Sequence, residues 1–186
     1  GADRAERLSS VLEVVYLIFN EGYSATAGED WLRPALCDEA LRLGRILAEL
    51  APQEPEVHGL VALMEIQASR SRARVRPNGE PILLFDQNRA KWDRLLIRRG
   101  LTALERAERI ATERGRYVLQ AAIAACHAQA RTPEDTDWPR IVSLYDELAS
   151  LEPSPVVELN RAVAVSMASG PQAGLDLVDR GGGEGA

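Results

Sequence analysis

The recurrence of apolar residues restricts this chain's fold more than any other feature. Between Leu144 and Gly170 they fall at helical spacing, and the run is cut at Glu152-Pro153-Ser154-Pro155 and again at Gly170-Pro171. Residues three and four apart share a helix face, and proline or glycine between such runs ends one helix and starts the next. The same writing extends upstream. It predicts helices over 7–21, 34–50, 54–69, 87–112, 116–130, from Trp138 to Ser150 and over 156–169, with an eighth starting in QAGLDLVD. In the first, Leu8, Val11, Leu12, Val15, Leu17 and Phe19 cover much of the surface, which predicts deep packing. Gly100 inside the fourth lowers helix propensity but permits a close crossing.

Taken in pairs, the first helices start near residues 7, 54, 116 and 154. The last interval is close to the ~34-residue period of tetratricopeptide repeats. The expected fold is all-α: a tetratricopeptide-like helical-hairpin solenoid of about seven to eight helices, forming a single helical-repeat domain over 1–186. Its last hairpin reads as unfinished, so the expectation is a fragment of a longer protein.

Composition agrees with helix. Apolar residues make up 46% of the chain, too many for wholesale disorder, and aromatics only 5%. Cys37 and Cys126 sit within apolar helical patterns and read as small buried residues of a reducing compartment, which implies a cytoplasmic protein. No long uncharged span could cross a membrane. ATAGEDW, 25–31, reads as a loop. An irregular insertion at 70–88 breaks the rhythm: arginines recur at 70, 72, 74 and 76, Pro77-Asn78-Gly79 signals a turn, and ILLF follows. A short hairpin and an extended insertion packed on the helices both fit.

The net charge of -6 argues against a free-standing nucleic-acid binder. Residues 70–99 nevertheless hold nine arginines and lysines against three carboxylates. That is net +6, leaving -12 for the rest of the chain. Arg94, Arg98 and Arg99 are the basic-surface candidates. They would meet a phosphate backbone or an acidic protein face, or form a solvated helix face with internal ion pairs.

Catalytic patterns are not written here. The two histidines lie in different helices, and there is no HExxH, CxxC or glycine-rich phosphate loop. No catalytic residue, metal site or cofactor is expected, and His58 reads as a partly buried or surface histidine. Three polar junctions stand out instead. Asn20, Glu21, Gly22 and Tyr23 end the first helix, either as a C-cap with a structural salt bridge or as a partner-facing cluster. In Phe85-Asp86-Gln87-Asn88-Arg89, with Trp92 beyond, Asp86 would cap the fourth helix and Arg89 would pair with Glu21. Asp135 and Asp137 flank Thr136 before Trp138 and read as a helix start. Asn160 and Arg161, in the middle of a helix, would bond between repeats or face a concave groove.

The segments LSSVLEVVYLIFNEGY (8–23), LCDEALRLGRILAELAPQEPEVHGLVALM (36–64) and LLFDQNRAKWD (83–93) resemble one group of bacterial sigma factors. So do YVLQAAIAACHAQA (117–130), EDTDWPRIVSLYDEL (134–148) and SPVVELNRAVAVSMASG (154–170). The group is the extracytoplasmic-function-type RNA polymerase sigma factors with a long C-terminal tetratricopeptide-like extension, and this chain is similar to the extension alone. The resemblance implies a regulatory or protein-interaction domain in promoter-specific transcription initiation. Its implied partners are core RNA polymerase and the protein's own sigma domains. Promoter DNA would be contacted through N-terminal domains outside this chain, with no direct nucleic-acid binding here and no membrane. The positions matching the group's signatures are Asn20 to Tyr23, then Asp86, Gln87, Arg89 and Trp92, then Asp135, Thr136, Asp137 and Trp138. A general peptide-binding helical-repeat scaffold is the alternative, ahead of a small-ligand sensor or an enzyme.

Overall fold

A computed structural model of the chain describes residues 1–24 and 32–182. The loop expected over 25–31 lies outside the described residues. Among those that are described, the fold is all-α. Eight helices follow in order: α1 (Ala2–Tyr23), α2 (Leu32–Leu50), α3 (Pro55–Ala68), α4 (Arg94–Ile110), α5 (Arg116–Gln129), α6 (Trp138–Leu151), α7 (Pro155–Ser169) and α8 (Pro171–Gly182). They form helical hairpins, and the chain divides into two compact units, Gly1–Ala121 and Ala122–Ala186.

In the first unit α3 is the hub and packs against α1, α2 and α4. Ten consecutive residues, Val57 to Ile66, are buried. A helix apolar on every side must be covered on every side, and here Val118 at the start of α5 adds cover over Gly59. α1 differs from expectation. Leu12, Val15, Phe19 and Gly22 are buried, whereas Val11, Val14 and Leu17 are exposed. Deep packing therefore holds for one stripe only. Its large residues outnumber the positions that α2 and α3 cover.

α4 crosses α3 at Gly100. A Cβ there would stand 2.6 Å from Ile66 Cγ1 and 3.1 Å from the Ala62 carbonyl oxygen, so the close crossing expected of this glycine is present. The helix begins at Arg94, however, and not at residue 87. Asp93 is its N-cap and accepts the amides of Leu95 (2.9 Å) and Leu96 (3.1 Å). Asn88 caps a separate short turn at Arg89–Lys91. Asp86 caps neither, because it ends another short turn at Leu84–Asp86.

The insertion is a minimal hairpin followed by these turns. Val75 and Pro81 form an isolated antiparallel bridge, and the Ile82 amide donates to Arg74 O at 2.7 Å. Gly79 makes the turn with φ 86°, its amide 2.8 Å from Arg76 O, in the left-handed region that a β-carbon disfavours. The Asp93 amide donates to Ser69 O at 2.8 Å and closes the base of the segment.

In the second unit α6 packs on α7 and α7 on α8. α6 buries Ile141, Leu144 and Leu148. α7 buries Ala162 and Ala164, while Val156, Leu159, Val163 and Met167 are half or more exposed. Its small-residue side is the one in contact. A Cβ on Gly174 of α8 would stand 2.8 Å from the Ala162 carbonyl oxygen.

Candidate functional site

The end of α1 is built around Asn20 and Tyr23. The Asn20 carbonyl accepts both the amide (2.8 Å) and the hydroxyl (2.6 Å) of Ser24, which closes the helix. Burial pushes the Tyr16 hydroxyl up from its ordinary value, and hydrogen bonding to Gln67 and Asn20 opposes the shift. Tyr23 stacks on the fully buried Phe19 with ring centroids 5.4 Å apart. Gly22 is buried between them in sequence, and Glu21 is exposed. The cation at this turn is Arg74, not the expected Arg89. Its guanidinium carbon lies 3.3 Å over the Tyr23 ring and its Nη1 donates to Tyr23 O at 2.6 Å.

The second junction is a latch. Gln87 Nε2 donates to Ile82 O, Gln87 Oε1 accepts Trp92 Nε1, both at 3.2 Å, and Trp92 is buried. Arg89 covers the Trp92 ring at 4.4 Å. Gln87 thus pins the insertion to the indole just before α4, while Asp86 is exposed.

The third junction lies in the second unit. Asp135 Oδ2 accepts from the Thr132 amide (3.2 Å) and hydroxyl (3.1 Å), and Asp137 Oδ1 accepts the Arg140 amide at 3.1 Å. The Thr136 hydroxyl donates to Pro133 O at 2.7 Å, and Trp138 meets His127 edge-on. This is the expected helix start. Asn160 is exposed. Arg161 joins α7 to α6 through Asp146 at 2.6 Å, with Glu158 3.5 Å away.

The structure also brings together residues that the sequence did not single out. A cavity of about 550 Å³ opens among the end of α1, α2, the 71–75 segment and α4. Among the described residues, Arg45, Arg74 and Arg99 line it with one carboxylate, Asp38, beside an apolar wall that includes Leu41, Val75 and Leu96. The Cys37 thiol at its edge donates to Phe19 O at 3.6 Å. Burial pushes that thiol up while the Arg74 charge opposes the shift. Burial, and then the like charge of Arg70, hold the Arg74 guanidinium below its ordinary value against the counteracting Tyr23.

Across Arg45 and Arg99 a more open groove of about 740 Å³ runs along α2, α3 and α4, lined also by Arg98 and Arg106. Of the three basic-surface candidates, Arg98 and Arg99 line this groove. Arg94 sits at the start of α4, with Nη2 3.5 Å from Arg89 O. Glu65 is the groove's buried carboxylate. One oxygen accepts from Arg45 Nε at 3.0 Å, the other has no hydrogen-bond partner among the described residues, and burial pushes its pKa up. His58 is more buried than expected, with Nε2 2.9 Å from Pro52 O. Glu56 is the other missed residue. Its carboxylate accepts the amides of Tyr117 (2.9 Å) and Val118 (3.1 Å) and so caps α5 from α3. Spacing gives no signal for these pairs, because the partners are 51 and 61 residues apart for Arg74–Tyr23 and Glu56–Tyr117.

Among the described residues no group of three or more histidine, cysteine or acidic side chains could hold a metal ion. No described helix is long and apolar enough to cross a membrane. The profile of a family described as of unknown function (DUF6596) matches residues 7–108. That span covers α1 to α4 and both cavities. An uncharacterized protein of Rhizobium meliloti (strain 1021) is 52% identical over 179 residues, which is 96% of this chain and 42% of the relative. The chain therefore spans less than half the length of that curated relative. No solved structure matches it.

Proposed function

This chain belongs to the family of unknown function DUF6596, and from that premise we propose that it is a non-catalytic regulatory domain working through protein contacts, within a sigma factor that directs promoter-specific bacterial transcription initiation. The observation that carries the contact reading is the outward apolar row of α7. Val156, Leu159, Val163 and Met167 are 50–68% exposed at helical spacing, while Ala162 and Ala164 of the same helix are buried. Grouped large apolar side chains left outside mark interaction surfaces. The arginine-lined groove supports the reading, since basic side chains there suit an acidic protein face.

The sigma-factor assignment rests on the six segments quoted above, whose implied partners are core RNA polymerase and the protein's own sigma domains in the cytoplasm. The three polar junctions act as latches that hold the helical hairpins in shape for those contacts. In vitro transcription with the intact protein, with and without the region corresponding to this chain, tests the proposal. A change in promoter-specific transcript yield is the expected result, and its sign separates activation from inhibition. Equal yields from both forms at every promoter tried would reject it. Duplex DNA binding by this chain alone, with a steep salt dependence, would replace protein contact by direct nucleic-acid contact.

A further inference from the structure

Arg74 is a cation that no described carboxylate pairs with. It is half-buried, and its contacts among the described residues are neutral: the Tyr23 ring and the Tyr23 carbonyl oxygen. Among the described residues it has no ion pair with a carboxylate. Taking a charge out of water costs free energy unless an opposite charge compensates. The Arg70 charge close by makes the local balance worse. Arg45, by contrast, already pairs with Glu65.

The two contacts with Tyr23 also fix the guanidinium in place. One Nη1 bond and a ring beneath the plane hold it at the cavity wall, with further N–H donors left over, since a guanidinium carries five. Fixed planar donors suit carboxylate and phosphate oxygens. The cavity is large enough for a small molecule, carries three arginines to one carboxylate among the described residues, and has an apolar side.

We propose that this cavity binds a small organic anion, its carboxylate or phosphate oxygens taken by Arg74 and Arg99 and its apolar body lying against Leu41, Val75 and Leu96. Such a ligand would supply the counter-charge that no described residue gives Arg74. It would also tie the end of α1 to α4 through a single bound molecule. The cavity would then be where a chemical signal enters the regulatory domain, and this last step rests on the regulatory reading above.

Isothermal titration calorimetry on the 186-residue chain, at fixed ionic strength, tests the site. The probes are hexanoate, hexyl phosphate and the neutral isostere hexanamide. At least one anion should bind saturably at one site per chain, and hexanamide should not. Arg74→Gln should weaken the anion at least about tenfold, Arg99→Gln less, and Arg72→Gln, outside the lining, not at all. Val75→Trp adds bulk to the cavity's apolar wall while keeping the Arg74 side chain, and should also abolish binding, which keeps the test decisive if Arg74→Gln does not fold. No binding of either anion up to about 10 mM, equal binding of hexanamide, or full affinity in both Arg74→Gln and Val75→Trp would overturn the proposal. A hexaglutamate peptide that binds more tightly than both anions through Arg74 would overturn it in favour of peptide docking. Loss of the transcription effect with anion binding intact would sink only the regulatory reading, and the converse would sink only the cavity.

Discussion

The two units use side-chain size in opposite ways. In the first, α3 buries leucine, isoleucine, methionine and valine on every side, and α1 adds a wholly buried phenylalanine. In the second, α7 buries Ala162 and Ala164 and presents Val156, Leu159, Val163 and Met167 outward. Both helices read as apolar in sequence. The difference shows that an apolar helix needs cover over a wide arc, and that only its neighbours decide which part of the arc receives it. Where a helix approaches closely, as Gly174 of α8 approaches Ala162 of α7, the small side chains are the ones enclosed.

Substitutions can break this contrast. The largest effect is expected at Phe19. Phe19→Ala leaves a cavity in a fully enclosed site and should lower stability by about 3–5 kcal/mol, measured by urea unfolding of the 186-residue chain. A loss below about 1 kcal/mol would mean that α1 is not anchored as described. Glu56→Ala comes next. It strands two amides at the start of α5 and should cost about 1–3 kcal/mol. The loss should be accompanied by faster amide exchange at Tyr117 and Val118, and unchanged exchange there would contradict the cap. Asp137→Ala removes a local N-cap in the second unit and should cost about 1 kcal/mol. The smallest effect is expected on the exposed row of α7. Leu159→Ser should change stability by no more than about 0.5 kcal/mol. A large loss would show that Leu159 is covered and would erase the contrast between the units.

Glu65 sharpens the comparison through pH. Its folded-state pKa is raised by burial, so the folded protein holds this proton more tightly than the unfolded chain does. Its contribution is therefore fully present below the ordinary carboxylate range, near 4.5, and is lost as pH rises through the folded value. Unfolding of the parent and of Glu65→Gln, compared from pH 4 to 7, should show the parent losing ground to the variant as pH rises. A gap that stays constant, or moves the other way, would mean that the Arg45 pair outweighs burial.

The elements were legible in the sequence, and their surroundings less so. Helix positions followed from apolar spacing, and Pro77-Asn78-Gly79, Asp137 and Gly100 were readable because turns, caps and close crossings depend on one or two residue types. The start of α4 was misplaced because Asp86 and Asp93 are both plausible caps by type, and only the backbone shows which carboxylate meets free amides. The exposed sides of α1 and α7 were hidden because periodicity carries no record of neighbours. The site was read in part. The NEGY turn was singled out, but its cation was assigned to Arg89, and Arg74 went unnoticed within a run of alternating arginines. A guanidinium reaching across 51 residues leaves no mark on local spacing.

The Glu56 cap has a consequence for the order in which the chain folds. Helices usually carry their own start signal, so a first turn can form before anything else docks. α5 takes a cap from a helix 61 residues earlier, so part of the stability of its first turn depends on α3 being in place. In a chain leaving the ribosome, α3 is synthesised first, and its carboxylate is already present when Tyr117 and Val118 emerge.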